Sequence, residues 1–290
     1  MIMNELVGII TKDNYLSDDL IKDVLCITGG YNPLRLGEAG CQFSLKDVVN
    51  FSNLQKIRCM KVDVNIVSKI NQEKQLLIAD MDSTLINEEC IDELAKFTGF
   101  SDKVFKITKE AMNGKILFAE SLIKRTELLK GTNLDTLEDC FNKCISISKG
   151  AKTLVSTMNS RNARTYIVSG GYKFFVNKVA NLLKVTDHFS NDFVSKNRVL
   201  SGKLKKPIID EIKKYNLVKN ISKKNNLSLK NVISVGDGAN DIKMLATTGL
   251  GVAFKSKNIV KKNTKIHIDY SDLTSLLFLQ GINEKQFVKR

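Results

Sequence analysis

The sequence predicts an α/β fold. A doubly wound parallel sheet follows a small N-terminal α/β unit and is interrupted by a block of helices. Three apolar runs predict the sheet: Leu76–Ala79, residues 165–168 and residues 231–235 lack polar alternation, as expected of strands buried on both faces. Helical patterns separate these runs, which argues for parallel strands joined by crossovers. Each run also ends in a polar or Gly-rich segment: Asp80-Met81-Asp82-Ser83-Thr84, Ser169-Gly170-Gly171 and Gly236-Asp237-Gly238-Ala239-Asn240-Asp241. In an open parallel sheet such ends converge on one edge, the edge where ligands bind.

Taken in order, residues 1–72 read as the small α/β unit. A strand is expected over 5–11, a helix over 17–28, a turn at Gly29-Gly30-Tyr31-Asn32-Pro33, a weak helix over 46–51 and an alternating strand over 61–67. The polar joint Asn71-Gln72-Glu73-Lys74 marks a boundary, and residues 73–290 form the larger domain. After its first strand come four helices, over 88–98, from Ser101 toward Asn113-Gly114, over 116–130 closed by Gly131, and over 133–144. This insertion, about 87–149, is placed to act as a lid over the strand ends. The sheet then resumes with the strand 165–168, a helix over 172–183, a hairpin excursion (188–194 with 198–204) and a Lys-rich helix opened by Pro207 that runs past Lys214. The strand 231–235, a helix over 242–247 and a last short strand over 251–254 complete it.

Bulk properties narrow the function. A chain of 290 residues buries a full core without disulfide staples. No apolar run reaches membrane-spanning length, and the N-terminus lacks the basic region and cleavage site of a secretory signal. Cys26, Cys41, Cys59, Cys90, Cys140 and Cys144 form no C-x-x-C pair, which fits reduced thiols in a cytoplasm. The net charge of +14 comes from lysines spread along the whole chain, often beside Asn, and no nucleic-acid-binding motif accompanies it. Neither a nucleic-acid nor a membrane partner is expected, whereas a positive field does draw in small anions.

The chemistry lies in the strand ends. Asp80, Asp82, Asp237 and Asp241 bring four carboxylates to one edge; such a cluster needs a cation, and hard oxygen ligands without His or Cys point to Mg²⁺. Of Asp80 and Asp82, one can attack as a nucleophile or hold the metal while the other moves a proton. The Ser169-Gly170-Gly171 segment at a helix start reads as an anion cradle. A Mg²⁺ site beside an anion cradle suits phosphoryl transfer.

This order of motifs, an Asp-x-Asp-x-Thr after a strand, a strand-ending Ser, a helix Lys and a Gly-Asp-x-x-x-Asp, resembles the haloacid dehalogenase superfamily of phosphatases. The resemblance covers roughly residue 75 to the C-terminus. It sharpens to the phosphoserine phosphatases through Asp80-Met81-Asp82-Ser83-Thr84-Leu85-Ile86-Asn87-Glu88-Glu89 and the segment Phe118-Ala119-Glu120-Ser121-Leu122-Ile123-Lys124-Arg125. The N-terminal unit is similar to the degenerate ACT-like domain of many bacterial members. The resemblance implies a Rossmann-like core with a helical cap and hydrolysis of O-phospho-L-serine to L-serine and phosphate, the last step of serine biosynthesis. It implies Asp80 as nucleophile, Asp82 as acid and then base, and Mg²⁺ on Asp80, the Asp82 carbonyl and Asp237. Ser169 and Gly170 would grip the phosphoryl oxygens, Lys214 would neutralise charge, Asn240 would hold its loop on the substrate side, and Asp241 and Thr84 would support the site from behind. Lys214 is chosen over the adjacent Lys213 because the preceding Pro207-Ile208-Ile209-Asp210 matches the family's stretch. Glu89 would take the substrate ammonium and Arg125 its carboxylate, with Met112 and Phe118 closing the apolar side. A phosphatase or phosphotransferase for another small phosphorylated amino acid or alcohol is the alternative, and a homodimer is left open.

Overall fold

The structure, a computed structural model, describes residues 6–46, 49, 56–57, 59–112 and 115–289. Strand β1 (Leu6–Thr11) leads into helix α1 (Asp18–Thr28), strands β2 (Gly30–Arg35) and β3 (Gly40–Leu45), and then β4 (Asp63–Ser68). They form an antiparallel sheet of order β2-β3-β1-β4. Helix α1 begins where Ser17 Oγ accepts from Leu20 N at 3.3 Å and ends where Gly29 turns left-handed at φ +67°. Its inner face packs Ile21 and Val24 against Ile10, Cys41 and Phe43.

The turn expected at residues 29–33 is only partly there. Gly29 ends the helix, but Gly30–Arg35 is an edge strand, irregular between Tyr31 and Leu34. Pro33 is tolerated there because an outermost strand has an unpaired side. Strand β3 was not foreseen, because GCQFSL carries a Gly, a Gln and a Ser among its apolar residues. The weak helix expected over 46–51 falls largely outside the described residues.

The second sheet starts with β5 (Leu76–Ala79), followed by a tight turn over Met81–Leu85 in which Ser83 is left-handed at φ 52°. Four helices come next: α2 (Cys90–Phe97), α3 (Ser101–Met112), α4 (Phe118–Leu128) and α5 (Leu134–Cys144). The chain enters and leaves this helical cap through adjacent segments, with Asn87 N donating to Ser146 O at 3.1 Å and Ser148 N to Leu85 O at 2.9 Å. Helix α6 (Ala151–Ser160), missed in the sequence, returns the chain to β6 (Arg164–Tyr172), α7 (Lys173–Leu183) and β7 (Asp187–Asn191).

The expected hairpin is divided. Residues 187–191 join the main sheet beside β6 in parallel, while β8 (Phe193–Lys196) and β9 (Val199–Leu204) form the hairpin. This hairpin braces the cap, since Gly131 N donates to Leu200 O and Leu134 N to Arg198 O. Helix α8 (Glu211–Lys224) begins four residues later than expected, where Asp210 Oδ1 accepts from Lys213 N at 2.8 Å. Strand β10 (Val232–Gly236), helix α9 (Ile242–Thr247) and β11 (Leu250–Phe254) match the expectation closely. Beyond them come α10 (Asn258–Asn263), β12 (Ile266–Ile268) and α11 (Ser275–Leu279), so β11 is not the last strand.

The main sheet is wholly parallel, in the order β12-β11-β10-β5-β6-β7. The first of its strands in sequence, β5, lies in the middle with crossovers to both sides, which makes its carboxyl end the switch point of the sheet. Leu76, Leu77, Ile78 and Ala79 are at most 1% exposed, as the continuous apolar run requires.

The two sheets meet edge to edge through side chains. The Asn65 amide donates to His267 O at 2.8 Å and accepts from His267 N at 2.9 Å, so β4 pairs with β12 through a side chain. Buried Asp63 accepts from the backbone N–H groups of Asp269, Tyr270 and Ser271 and from Ser271 Oγ. Among the described residues no helix is long and apolar enough to cross a membrane.

Candidate active site

Register assembles the site. Ala79 is level with Val235 of β10 and with Ile167 of β6. Asp80 therefore stands one residue past the level row, and Asp237 and Ser169 two residues past it. The backbone of Asp80 still belongs to the sheet, its N–H donating to Val235 O at 2.9 Å, so the carboxylate is fixed where β5 ends.

Of the two adjacent lysines, Lys214 is the one that reaches Asp80. It is fully buried, with Nζ 2.9 Å from Asp80 Oδ1 and 2.7 Å from Asp241 Oδ1, whereas Lys213 faces partly outward. Burial works against the ammonium, yet the charges of Asp241 and Asp80 raise its pKa, so it stays protonated. Asp241 Oδ2 accepts from Gly238 N at 3.1 Å, which ties the turn after β10 to the same lysine. Asn240 folds over Gly238: a Cβ on that glycine would lie 2.5 Å from Asn240 Oδ1.

Oxygens of Asp80, Asp237 and Asp241 lie within 4.8 Å of one another, all three residues buried. Burial, then the charges of Asp241 and Asp80, push the Asp237 carboxyl up to about 8, and burial with Asp80 raises Asp241 to about 7. Lys214 is one positive charge among three carboxylates, so the cluster fits a hard divalent cation held by oxygen ligands. Asp241 joins the carboxylate cluster, although both of its oxygens are already engaged, while the Asp82 side chain turns elsewhere.

Asp82 Oδ1 accepts from Cys90 N, the first residue of α2, at 2.9 Å. Its Oδ2 faces Gly171, where a Cβ would approach to 2.6 Å. Burial, then the neighbouring charge of Glu89, raises the Asp82 carboxyl to about 7, near the point where one group can both give and take a proton at neutral pH. Glu89 is itself shifted up, by burial first, and accepts from Ser83 Oγ at 2.9 Å. Thr84 is fully buried under this turn, its Oγ1 without a partner among the described residues.

The Ser-Gly-Gly segment is not the helix-start turn expected of it. Strand β6 runs through to Tyr172, with a register shift against β7 between Val168 and Tyr172. The shift turns Ser169 Oγ toward Gly171 N, which donates to it at 2.9 Å. Gly170 lies under Phe118 of α4, whose Cζ would be 2.5 Å from a Cβ there, so the cap rests directly on this segment. Phe118 thus lies over Gly170; the Met112 side chain lies outside what the structure describes. Arg125 is 8% exposed, its Nε donating a long bond of 3.4 Å to Ser121 O of its own helix. Among the described residues no carboxylate reaches ion-pair distance of it.

Asn191 was missed in the sequence. Buried at the end of β7, its amide donates to Gly170 O at 2.8 Å and to Ile209 O at 3.2 Å, and accepts from Ile209 N at 2.7 Å. One side chain so fixes the Ser-Gly-Gly segment and the approach to α8, which carries Lys214. A lone Asn after a short mixed strand leaves no signal in the sequence.

The family model for haloacid dehalogenase-like hydrolases matches residues 74–249, more than half of the chain. The chain belongs to this family. Among curated relatives, a phosphoserine phosphatase of Lactococcus lactis is 40% identical over 214 residues, covering 73% of this hydrolase and 99% of the relative. One of Archaeoglobus fulgidus is also 40% identical, over 209 residues, covering 72% of this hydrolase and 60% of the relative. A solved structure described as a phospho-aspartyl intermediate analogue of phosphoserine phosphatase superposes with a TM-score of 0.67 at 37% identity, covering 71% of this hydrolase and 98% of that chain. This hydrolase is therefore a phosphatase, and its matched segment contains the strand ends that carry Asp80, Ser169 and Asp237.

Proposed function

We propose that this hydrolase converts O-phospho-L-serine and water to L-serine and phosphate through an aspartyl-phosphate on Asp80. The observation that carries the reading is the buried Asp80–Lys214 pair at the switch point, with Asp82 two residues on and its carboxyl shifted to about 7. Asp80 attacks phosphorus while Asp82, in its protonated form, gives its proton to the leaving seryl oxygen. Asp82 then takes a proton from the water that opens the aspartyl-phosphate, returning both carboxylates to their starting state. Ser169 and the Gly170 backbone hold the phosphoryl oxygens, and Lys214 compensates charge on Asp80 and the phosphoryl group. Mg²⁺ is the metal we assign, on Asp80, Asp237 and the Asp82 carbonyl, and it would neutralise charge on the phosphoryl oxygens.

Substrate choice rests on the cap. Arg125 is a buried guanidinium with no carboxylate at ion-pair distance among the described residues, suited to receive one from a ligand bidentately. Glu89 offers a carboxylate for the ammonium. We also read the N-terminal unit as ACT-like, supported by its β1-α1-β2-β3 run and the return of β4 beside β1. All six cysteines are free thiols, which is why we place the reaction in a reducing cytoplasm.

Phosphate release from a panel of phosphomonoesters, with and without Mg²⁺, tests the proposal. O-phospho-L-serine should be strongly preferred, and both EDTA and Asp80→Asn should abolish turnover. Comparable turnover of many esters would remove Glu89 and Arg125 from substrate selection while sparing the nucleophile. Activity surviving in Asp80→Asn would end the covalent mechanism.

A further inference from the structure

The Ser169-Gly170-Gly171 segment is held by a side chain where strand pairing lapses. Strand β7 pairs Phe189 with Val168 and then Asn191 with Tyr172, so the three residues between stand opposite Ser190 alone. A bulge of this kind leaves its extra residues out of the ladder. Asn191 bridges the gap with its amide, Nδ2 donating to Gly170 O at 2.8 Å. The amide is itself clamped on the far side, where Oδ1 accepts from Ile209 N at 2.7 Å and Nδ2 also donates to Ile209 O at 3.2 Å. Asn191 is 2% exposed and both of its N–H groups are engaged, so the amide plane has one orientation.

Gly170 O and Gly171 N belong to one peptide unit, which is planar. Asn191 holds the carbonyl edge of that unit, and the N–H edge donates to Ser169 Oγ at 2.9 Å. Fixing the one edge therefore aims the other. Because Ser169 Oγ accepts this bond, its own proton is left to donate. The hydroxyl also lies on the side of the reacting groups. A Cβ on Gly171 would meet both Ser169 Oγ, at 3.2 Å, and Asp82 Oδ2, at 2.6 Å.

We propose that Asn191 is a positioning residue for phosphate binding: through the Gly170–Gly171 peptide it sets Ser169 Oγ as a donor to a phosphoryl oxygen. Asn191 itself touches no substrate atom. Without its amide the peptide is free to tilt, and the hydroxyl loses the bond that orients it.

The inference rests on the reading of Ser169 as a hydroxyl that grips phosphate, and the experiment separates the two. KM and kcat are measured for O-phospho-L-serine, with Ki for inorganic phosphate as inhibitor, well below the melting temperature of each variant. Ser169→Ala should raise Ki and lower kcat/KM; if it changes neither, the reading of Ser169 and this inference fall together. Asn191→Asp is nearly isosteric and still accepts from Ile209 N, but it sets an oxygen against two carbonyl oxygens. It should raise Ki and lower kcat/KM about tenfold each, equivalent to about 1.4 kcal/mol. Asn191→Ala, which leaves room for water, should shift both in the same direction. The ratio of kcat/KM for O-phospho-L-serine to that for O-phosphoethanolamine should stay at the wild-type value, because only the phosphate end is disturbed. In the Ser169→Ala background neither Asn191 variant should add to the loss. Asn191 variants that melt lower yet keep wild-type Ki and kcat/KM would reduce the residue to a structural role. Losses that add fully to those of Ser169→Ala would do the same, and either result overturns the inference while leaving Ser169 in place.

Discussion

Asp82 shows how little room a single residue of this site has. One oxygen is tied to the first N–H of α2 and the other faces the α-carbon of Gly171, so the carboxylate is held between the cap and the strand end. Gly171 has to be glycine for steric reasons: a methyl group there would stand 2.6 Å from Asp82 Oδ2 and 3.2 Å from Ser169 Oγ. Gly171→Ala should displace the proposed acid, Asp82, and the proposed phosphate-binding hydroxyl of Ser169 together. We expect kcat to fall about 100-fold, the share usually supplied by a positioned acid–base group, with a stability loss of about 1–3 kcal/mol. Steady-state kinetics beside a thermal melt would check it; a variant with near-normal kcat would show that Asp82 is held elsewhere during turnover. The residues proposed to do chemistry were legible because carboxylates, Ser and Gly at strand ends carry a spacing. Asn191 was not, because its value lies in reaching Gly170 and Ile209, which are neighbours only after folding.

At the level of elements, the runs buried on both faces were the readable ones: β5, β10 and β11 sit where continuous apolar sequence puts them. The cap helices were readable too, because Gly99, Gly131 and Asn133 punctuate them, and Asn133 does cap α5 through Asp135 N at 3.0 Å. Elements that derive their stability from tertiary contacts escaped notice. Strand β12 is three residues long and is completed by Asn65 of the other sheet, and α11 is five residues of which all are buried. Strand β6 ran on through two glycines that read locally as a turn, because β7 and Asn191 supply its partners. The joint between cap and core is likewise built from hydrogen bonds. Glu88 accepts from Ser146 N at 2.8 Å and from Ser146 Oγ at 2.7 Å, clasping the entering segment to the leaving one. Glu88→Ala should loosen this exposed clasp by about 1 kcal/mol. Since Glu88 touches none of the proposed reacting groups, we expect KM for O-phospho-L-serine to rise with the rate of the chemical step unchanged in single-turnover experiments. A slower chemical step at saturating substrate would show instead that the clasp also fixes Glu89 or Asp82.

Across the whole molecule the charge distribution is uneven in a way that composition conceals. A chain with a net charge of +14 concentrates carboxylates at one sheet edge and buries them. Asp82, Asp237 and Asp241 are shifted upward, to about 7, about 8 and about 7, from an ordinary value of 3.8. In the unfolded chain they would titrate near that ordinary value. Between the two sets of pKa values the folded protein therefore binds more protons than the unfolded one, and its stability must fall as pH rises. Lys214 adds no slope in this window, because it is protonated in both states there; its raised pKa acts only at higher pH. The metal-free protein should thus melt at progressively lower temperature from about pH 5 to about pH 8, and level off above the last of these pKa values. A divalent cation takes the place of the protons, so the melting temperature with Mg²⁺ should depend much less on pH, and the gap between the two curves should widen as pH rises. Scanning the melting temperature against pH, in EDTA and in Mg²⁺, measures this without any turnover. A metal-free protein that became more stable over that range would mean that the carboxylates are already charged and compensated in the absence of metal, and the cluster would then not be a cation site.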